Sequence, residues 1–385
     1  MTRNISVKSV HERFPLDPVM FTTALLLILV GLVMVASASI EMSARNYGSP
    51  FHLLLKHAVY LGISVSAGAF AIGLPVKIWQ KVDVPLLLLG FALLVLVLIP
   101  GVGREVNGSA RWISLGFFTI QGSEFLKLFI VIYMSGHLVR VGGMKQAHLR
   151  SFVKPLTILV GLVLLLMEQP DFGASVVIMV SVLGIIFLAG APIRYFMPLL
   201  VAFIAAGGLL AVLQPYRLAR LTVFTDPWEH KYEGGYQLTQ ALIAFGRGDF
   251  YGLGLGNSIQ KLFFLPEAHT DFLFSILAEE LGLVGATLVI SLFCVLMLRA
   301  LWIGKTAQEN GKPFHAYVAY GAGLMLGVQA CINLGVNLGV LPTKGLTLPL
   351  MSYGGNSLIV SCVFVGILLR VEYECRNEKR RSRAR

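Results

Sequence analysis

Two ionisable residues, His269 and Asp271, stand at the mouth of an otherwise apolar helix in the run Leu265-Pro266-Glu267-Ala268-His269-Thr270-Asp271-Phe272-Leu273-Phe274-Ser275. A carboxylate at the edge of a membrane helix costs free energy unless something offsets it, which marks Asp271 as a candidate functional group. It could serve as a helix cap. It also shares a helical face with Ser275 and Glu279, four and eight residues on, and a polar stripe of about 12 Å at 1.5 Å per residue exceeds what a cap requires. Glu280 lies about 100° off that stripe and reads as a helix-packing residue.

Further acids fall at the ends of other apolar runs: Glu124, Glu168 and Asp171. Basic partners at the same level are Arg111, Lys127, Arg217, Arg220 and Lys344. Together they predict a polar cavity at one membrane face. Each also has a plainer reading. Glu124 and Lys127, three residues apart on one helical face, could simply neutralise one another. Asp171, after Pro170, could be an N-cap. Arg217, Arg220 and Lys344 could reach phospholipid headgroups.

The elements that position these residues follow from composition. Hydrophobic residues make up 56% of the 385-residue chain and charged ones 13%, far from a soluble average. The chain reads as an all-α polytopic membrane protein. Runs long enough to cross about 30 Å of hydrocarbon lie near 18–40, 53–74, 84–101, 122–140, 154–168, 172–191, 195–214, 271–298, 315–341 and 355–371, about ten transmembrane helices. Ala36-Ser37-Ala38 imitates a signal-peptidase site, but the preceding apolar run is longer than a signal peptide's and nine more follow.

With ten spans both termini share one side. The excess of Lys and Arg there, including Lys77, Lys81, Arg140, Arg299 and the tail from Arg370 to Arg385, makes that side cytoplasmic. A single membrane domain, 1–385, then has a cytoplasmic tail at 1–17, a large external loop at 215–270 between spans seven and eight, and a basic tail at 372–385. The net charge of +11 is a topology signal and suits anionic headgroups. It gives little reason to invoke nucleic acid.

Cys294, Cys331, Cys362 and Cys375 form no CxxC pair, so neither a zinc site nor a disulfide framework is expected. In the external loop an amphipathic stretch carrying Leu238, Leu242 and Phe245 is expected to lie in the interface plane. Gly252-Leu253-Gly254-Leu255-Gly256 lacks a preceding strand and reads as turn glycine, not a dinucleotide loop.

The last external segment, Val340 to Ser357, is punctuated by Pro342, Gly345, Pro349, Gly354 and Gly355 at membrane depth, and it contains Ser352. Non-helical backbone is tolerated there when it lines a cavity or is buried in protein. This segment resembles the SEDS family of bacterial cell-wall glycosyltransferases. So do Leu265 to Gly282, Asn107-Gly108-Ser109-Ala110-Arg111-Trp112-Ile113, Gln121-Gly122-Ser123-Glu124 to Lys127, and Gln169-Pro170-Asp171-Phe172-Gly173. The similarity covers essentially the whole chain. Pro342-Thr343-Lys344-Gly345-Leu346-Thr347-Leu348-Pro349 is similar to the division branch more than to the elongation branch. Gly122 stands where the family usually has Pro, and Asn356 where it usually has Ser; both bear on loop shape more than on chemistry.

The resemblance implies polymerisation of lipid II at the outer face of the cytoplasmic (inner) membrane, with release of undecaprenyl diphosphate, at the division septum. Inverting attack by a sugar hydroxyl needs one carboxylate base, for which Asp271 is the candidate. The leaving diphosphate needs cationic stabilisation, for which Arg111, Lys127, Arg217 and Lys344 are candidates. Glu124, Asp171, His269, Ser275, Glu279 and Ser352 complete the predicted substrate-binding set. No cofactor is certain; a divalent cation, Mg or Mn, bridging the diphosphate to Glu124 or Asp171 stays open. The expected partners are a cognate class B penicillin-binding protein, which is the septal transpeptidase, and other divisome membrane proteins.

The alternatives are an elongation-type polymerase and, from another class, a lipid II flippase or transporter, since broken spans also suit alternating access. A transporter keeps polar groups along its whole path. Here they concentrate in the outer half, with spans one, three, six, seven and ten almost free of charge. A scaffold without activity would leave the acid stripe unexplained.

Overall fold

Apolar composition gives a chain that is mostly helix among the described residues. The computed structural model describes residues 16–106, 109–114, 116, 118–143, 149–212, 223–342 and 345–383. The first helices are α1 (Pro18–Tyr47), α2 (His52–Gly73), α3 (Val76–Lys81) and α4 (Asp83–Leu98). Strands β1 (Gly103–Val106), β2 (Ser109–Ser114) and β3 (Thr119–Gln121) follow, then α5 (Gly122–Arg140), α6 (Leu149–Glu168), α7 (Phe172–Leu188) and α8 (Ile193–Val212). The remainder is α9 (Tyr236–Gly248), α10 (Leu273–Glu309), α11 (Pro313–Asn337) and α12 (Gly355–Arg383). Each apolar run read from the sequence coincides with one of these helices. Five of them, α1, α2, α5, α10 and α11, are long and apolar enough to cross a membrane, while α4, α7 and the Ile193–Ala205 part of α8 are shorter apolar helices.

Helix α5 is the centre of the bundle. Its side chains are buried almost continuously from Gly122 to Leu138, as expected of a helix apolar on every side, and α4, α7, α11 and α12 pack around it. Helix α12 lies along α2, and α10 along α11 and α1. At the end of the bundle where α1 begins, Asp17 caps that helix through Met20 N at 2.7 Å and pairs with Arg299 of α10. At this end too, Asp83 at the start of α4 meets Arg140 at 2.5 Å, at the end of α5. The first pair ties the start of α1 to the body of α10, and the second joins the start of α4 to the end of α5.

The link between α4 and α5 departs from a purely helical reading. It folds as a three-stranded antiparallel sheet in the order β1-β2-β3, with Arg104 opposite Trp112 and Trp112 opposite Gln121. The sheet is too short to alter the fold class, but it fixes the direction from which Arg111 approaches the bundle.

The stretch from residue 236 to 270 is more integrated than an interfacial loop. Leu238, Ala241 and Ala244 of α9 are buried, and Phe245 meets Phe274 of α10 at 5.6 Å between ring centroids. The apolar face expected to lie on lipid is therefore covered by the protein, since α10 and α11 offer a complementary apolar surface. Residues 249–254 continue into a break in α10. Gly282 has φ 65° and ψ −164° inside that helix, a conformation that a side chain makes costly. The lost helical bonds are replaced across chains of the fold: Leu253 N donates to Glu279 O at 3.0 Å, Gly254 N to Glu280 O at 3.0 Å, and Leu283 N to Asp249 O at 2.9 Å. Gly252, Gly254 and Gly256 all have positive φ, in line with the turn-glycine reading.

Candidate active site

Asp271 occupies the turn immediately before α10, outside the helix proper. Its carbonyl oxygen accepts from two side-chain amides of α11, Asn333 Nδ2 at 2.8 Å and Asn337 Nδ2 at 2.9 Å. Its carboxylate faces the loop after α11, where a Cβ placed on Gly345 would stand 2.9 Å from Asp271 Oδ2. Loss of hydration, with the nearby Glu267 charge, pushes the Asp271 carboxyl up to about 7, while Arg111 pulls the other way. A carboxyl that ionises near neutrality can take a proton from a hydroxyl and give it up again.

The residue two positions earlier is arranged differently. His269 is buried, and burial holds its imidazole below the usual range despite Glu267, so it is a neutral ring. Its carbonyl accepts from Tyr353 N at 3.0 Å, and the Tyr353 ring lies between it and His57 of α2, at 5.3 and 5.8 Å. Burial raises the Tyr353 phenol to about 12. The three rings join the Asp271 turn to the start of α12. Ser352 closes the turn beneath them, accepting from Leu348 N at 2.9 Å.

On α5, Lys127 Nζ is 2.7 Å from Glu124 Oε2 and donates to Gln329 Oε1 at 2.6 Å. The Gln329 amide donates to Thr347 O at 2.9 Å, and Thr347 Oγ1 to Ser357 Oγ at 2.9 Å. One buried network thus runs from α5 through α11 to the last loop and α12. Asp171 caps α7 through Ala174 N at 3.2 Å while its other oxygen accepts from Ser123 Oγ of α5 at 2.8 Å. Arg111 donates to Gln169 O at 3.1 Å and Pro170 O at 2.6 Å, across the turn between α6 and α7.

The same architecture is found in known proteins. The family model described as a cell cycle protein, FtsW/RodA/SpoVE, matches residues 17–377. The chain belongs to the FtsW/RodA/SpoVE family. It is 51% identical over 352 residues to a protein of Coxiella burnetii named probable peptidoglycan glycosyltransferase FtsW, covering 91% of this chain and 94% of that one. A Hahella chejuensis protein of the same name is 52% identical over 363 residues, covering 94% and 91%. Among solved structures, one described as showing structural coordination of polymerization and crosslinking by a peptidoglycan synthase complex matches with a TM-score of 0.75 and 28% identity, over 94% of this chain and 98% of that one.

Within this FtsW/RodA/SpoVE-family fold the sequence-predicted residues divide into groups. Asp271, His269, Ser275 and Ser352 surround the last loop and the N-terminus of α10, with Arg111 close enough to influence Asp271. Glu124, Lys127 and Asp171 form the adjoining layer. Glu279 stands apart. It is fully buried, bound to Ser258 Oγ, to Ile259 N and Gln260 N at 3.2 Å each, and to Arg247 at 3.1 Å. The stripe Asp271–Ser275–Glu279 does not face one cavity, because α11 covers Ser275 and the 258–260 loop covers Glu279. Glu280 packs helices as read, accepting from Ser37 Oγ of α1 at 2.6 Å and pairing with Lys261 at 2.9 Å. Arg217 and Lys344 lie outside the described residues.

Gln329, Asn333 and Asn337 escaped the sequence reading. Their signal is a side-chain amide at every fourth position of an apolar helix, which places three buried polar groups on one face. For a cation, the described residues contain no group of three or more His, Cys, Asp or Glu side chains that could hold one. Glu124 and Asp171 are each engaged by protein donors.

Proposed function

We propose that this peptidoglycan glycosyltransferase polymerises lipid II during septal division, with Asp271 as the general base. The observation that carries the reading is the placement of the Asp271 carboxylate against Gly345, at the edge of the non-helical 345–354 segment and near enough to Arg111 to feel its charge. The acceptor sugar's 4-hydroxyl oxygen bonds to the anomeric carbon of the donor as the bond to the diphosphate oxygen breaks, inverting the configuration. The hydroxyl proton passes to the Asp271 carboxylate and then to water. The electron pair of the broken bond leaves on undecaprenyl diphosphate.

Negative charge builds on that leaving group, and preorganised cations are the economical way to stabilise it. Arg111 is the cation assigned this role here, and its anchoring by two carbonyls of the α6–α7 turn supports the assignment. Arg217 and Lys344 remain sequence-based candidates. Lys127 is committed to Glu124 and Gln329, which suits it to holding the last loop in place.

The chain is read as an inner-membrane protein enriched at the septum, acting beside a class B penicillin-binding protein. The structural likeness to a subunit of a synthase complex supports that pairing. Purified protein given fluorescent lipid II, with and without the transpeptidase, tests the reading. Glycan ladders on a gel are expected, whereas transbilayer movement of lipid II without polymer would favour a flippase.

A further inference from the structure

Helices ordinarily bond the carbonyl of each residue to the amide four positions on. At the start of α10 that pair would be Asp271 O with Ser275 N, and Asn337 stands between them. Its Oδ1 accepts from Ser275 N at 3.1 Å and Ser275 Oγ at 2.7 Å, while its Nδ2 donates to Asp271 O at 2.9 Å. One turn earlier on α11, Asn333 Nδ2 donates both to Asp271 O at 2.8 Å and to Leu346 O at 2.6 Å. Asn337 also donates to Asn333 O at 2.9 Å, and both residues are buried at 2% exposure or less.

The geometry points to Asn333 and Asn337 as positioning residues for Asp271. Asn337 bridges Asp271 O and Ser275 N, an amide that also donates to Phe272 O at 3.0 Å, and so ties the carboxylate-bearing residue just ahead of α10 to α11. Asn333 fixes the same residue relative to Leu346, next to the Gly345 that abuts its carboxylate. Between them, two buried amides set the base in register with the last loop. This inference rests on the reading of Asp271 as the base.

A misplacement of about 1 Å can cost on the order of 100-fold in rate. Replacing Asn333 or Asn337 by Leu keeps size and removes the clamp. Turnover is expected to fall about 10- to 100-fold, with KM within about threefold because substrate contacts stay intact. The pH profile gives a second readout. The charges bearing on Asp271 are Glu267 on its own turn and Arg111 on β2. A loosened, better hydrated carboxylate should shift the acid limb to lower pH, with those charges unchanged.

Leu334→Ala, a packing change on the same helix, serves as the control, and it should lower thermal stability while leaving turnover and the acid limb in place. Should Asn333→Leu fail to fold, Asn337→Ser carries the same test. Turnover that falls only in proportion to the folded fraction, with an unmoved acid limb, would reduce both residues to structural ones. If Asp271→Asn is inactive and the Asn variants match wild type, the positioning inference fails alone; if Asp271→Asn is active, the base assignment fails and takes this inference with it.

Discussion

Gly345 and Asp271 touch across two separate segments of the chain: a Cβ on Gly345 would lie 2.9 Å from Asp271 Oδ2. No other residue type leaves that space free. Gly345→Ala should therefore displace the carboxylate while leaving the helices intact, and turnover should drop by about 10-fold or more. Steady-state polymerisation compared with thermal unfolding of the same preparation checks this. Full activity would show that the carboxylate has room to move without consequence.

The Glu124–Lys127 pair is buried, at 8% and 2% side-chain exposure. Removing one partner leaves a lone charge in a low-dielectric interior, which costs about 3–5 kcal/mol. Glu124→Gln or Lys127→Met alone should be strongly destabilised, and the double variant should recover most of the loss. Unfolding midpoints in detergent measure it. A double variant no more stable than the worse single one would mean that each residue has its own essential partner.

The raised Asp271 carboxyl has consequences for rate and for stability. Below about 7 the base is protonated, so turnover should rise about tenfold per pH unit and then level off. For stability, the folded state binds more protons than the unfolded chain between the ordinary value of 3.8 and about 7. The contribution of Asp271 to stability is thus fullest at the acid end and is lost as pH rises through that window. Asp271→Asn should raise the unfolding temperature at pH 8 and change it little at pH 4. An equal effect at both would place the carboxyl in water.

At the break in α10 a Cβ on Gly282 would stand 2.4 Å from Gly252 N. The positive φ adds strain of about 1–3 kcal/mol for a residue with a side chain. Gly282→Ala should lower the unfolding temperature and expose the 249–254 segment to protease. A variant as stable as wild type would mean that α10 straightens at little cost.

The fold was largely legible in the sequence because apolar runs of about 20 residues have few alternatives to a spanning helix. Asp271 was legible for a related reason, since a carboxylate at a helix mouth needs an explanation. What the sequence hid depends on partners far along the chain. Glu279 looked like part of the Asp271 stripe by periodicity, but its face is covered by Ser258 and its neighbours. The non-helical Gly282 is invisible until residues 249–254 are seen to bond Glu279, Glu280, Leu283 and Val284 on either side of it. The amides of Gln329, Asn333 and Asn337 follow a regular spacing, yet only the fold shows that they reach Lys127 and Asp271.

The central claim is that the Asp271 carboxylate is the base for glycan polymerisation. Asp271→Asn keeps shape and polarity while removing the proton acceptor. In proteoliposomes holding equal amounts of folded wild-type and variant protein, supplied with fluorescent lipid II at pH 8, the variant should form no glycan ladder while the wild type does. Polymer at near the wild-type rate from the Asn variant would contradict the account.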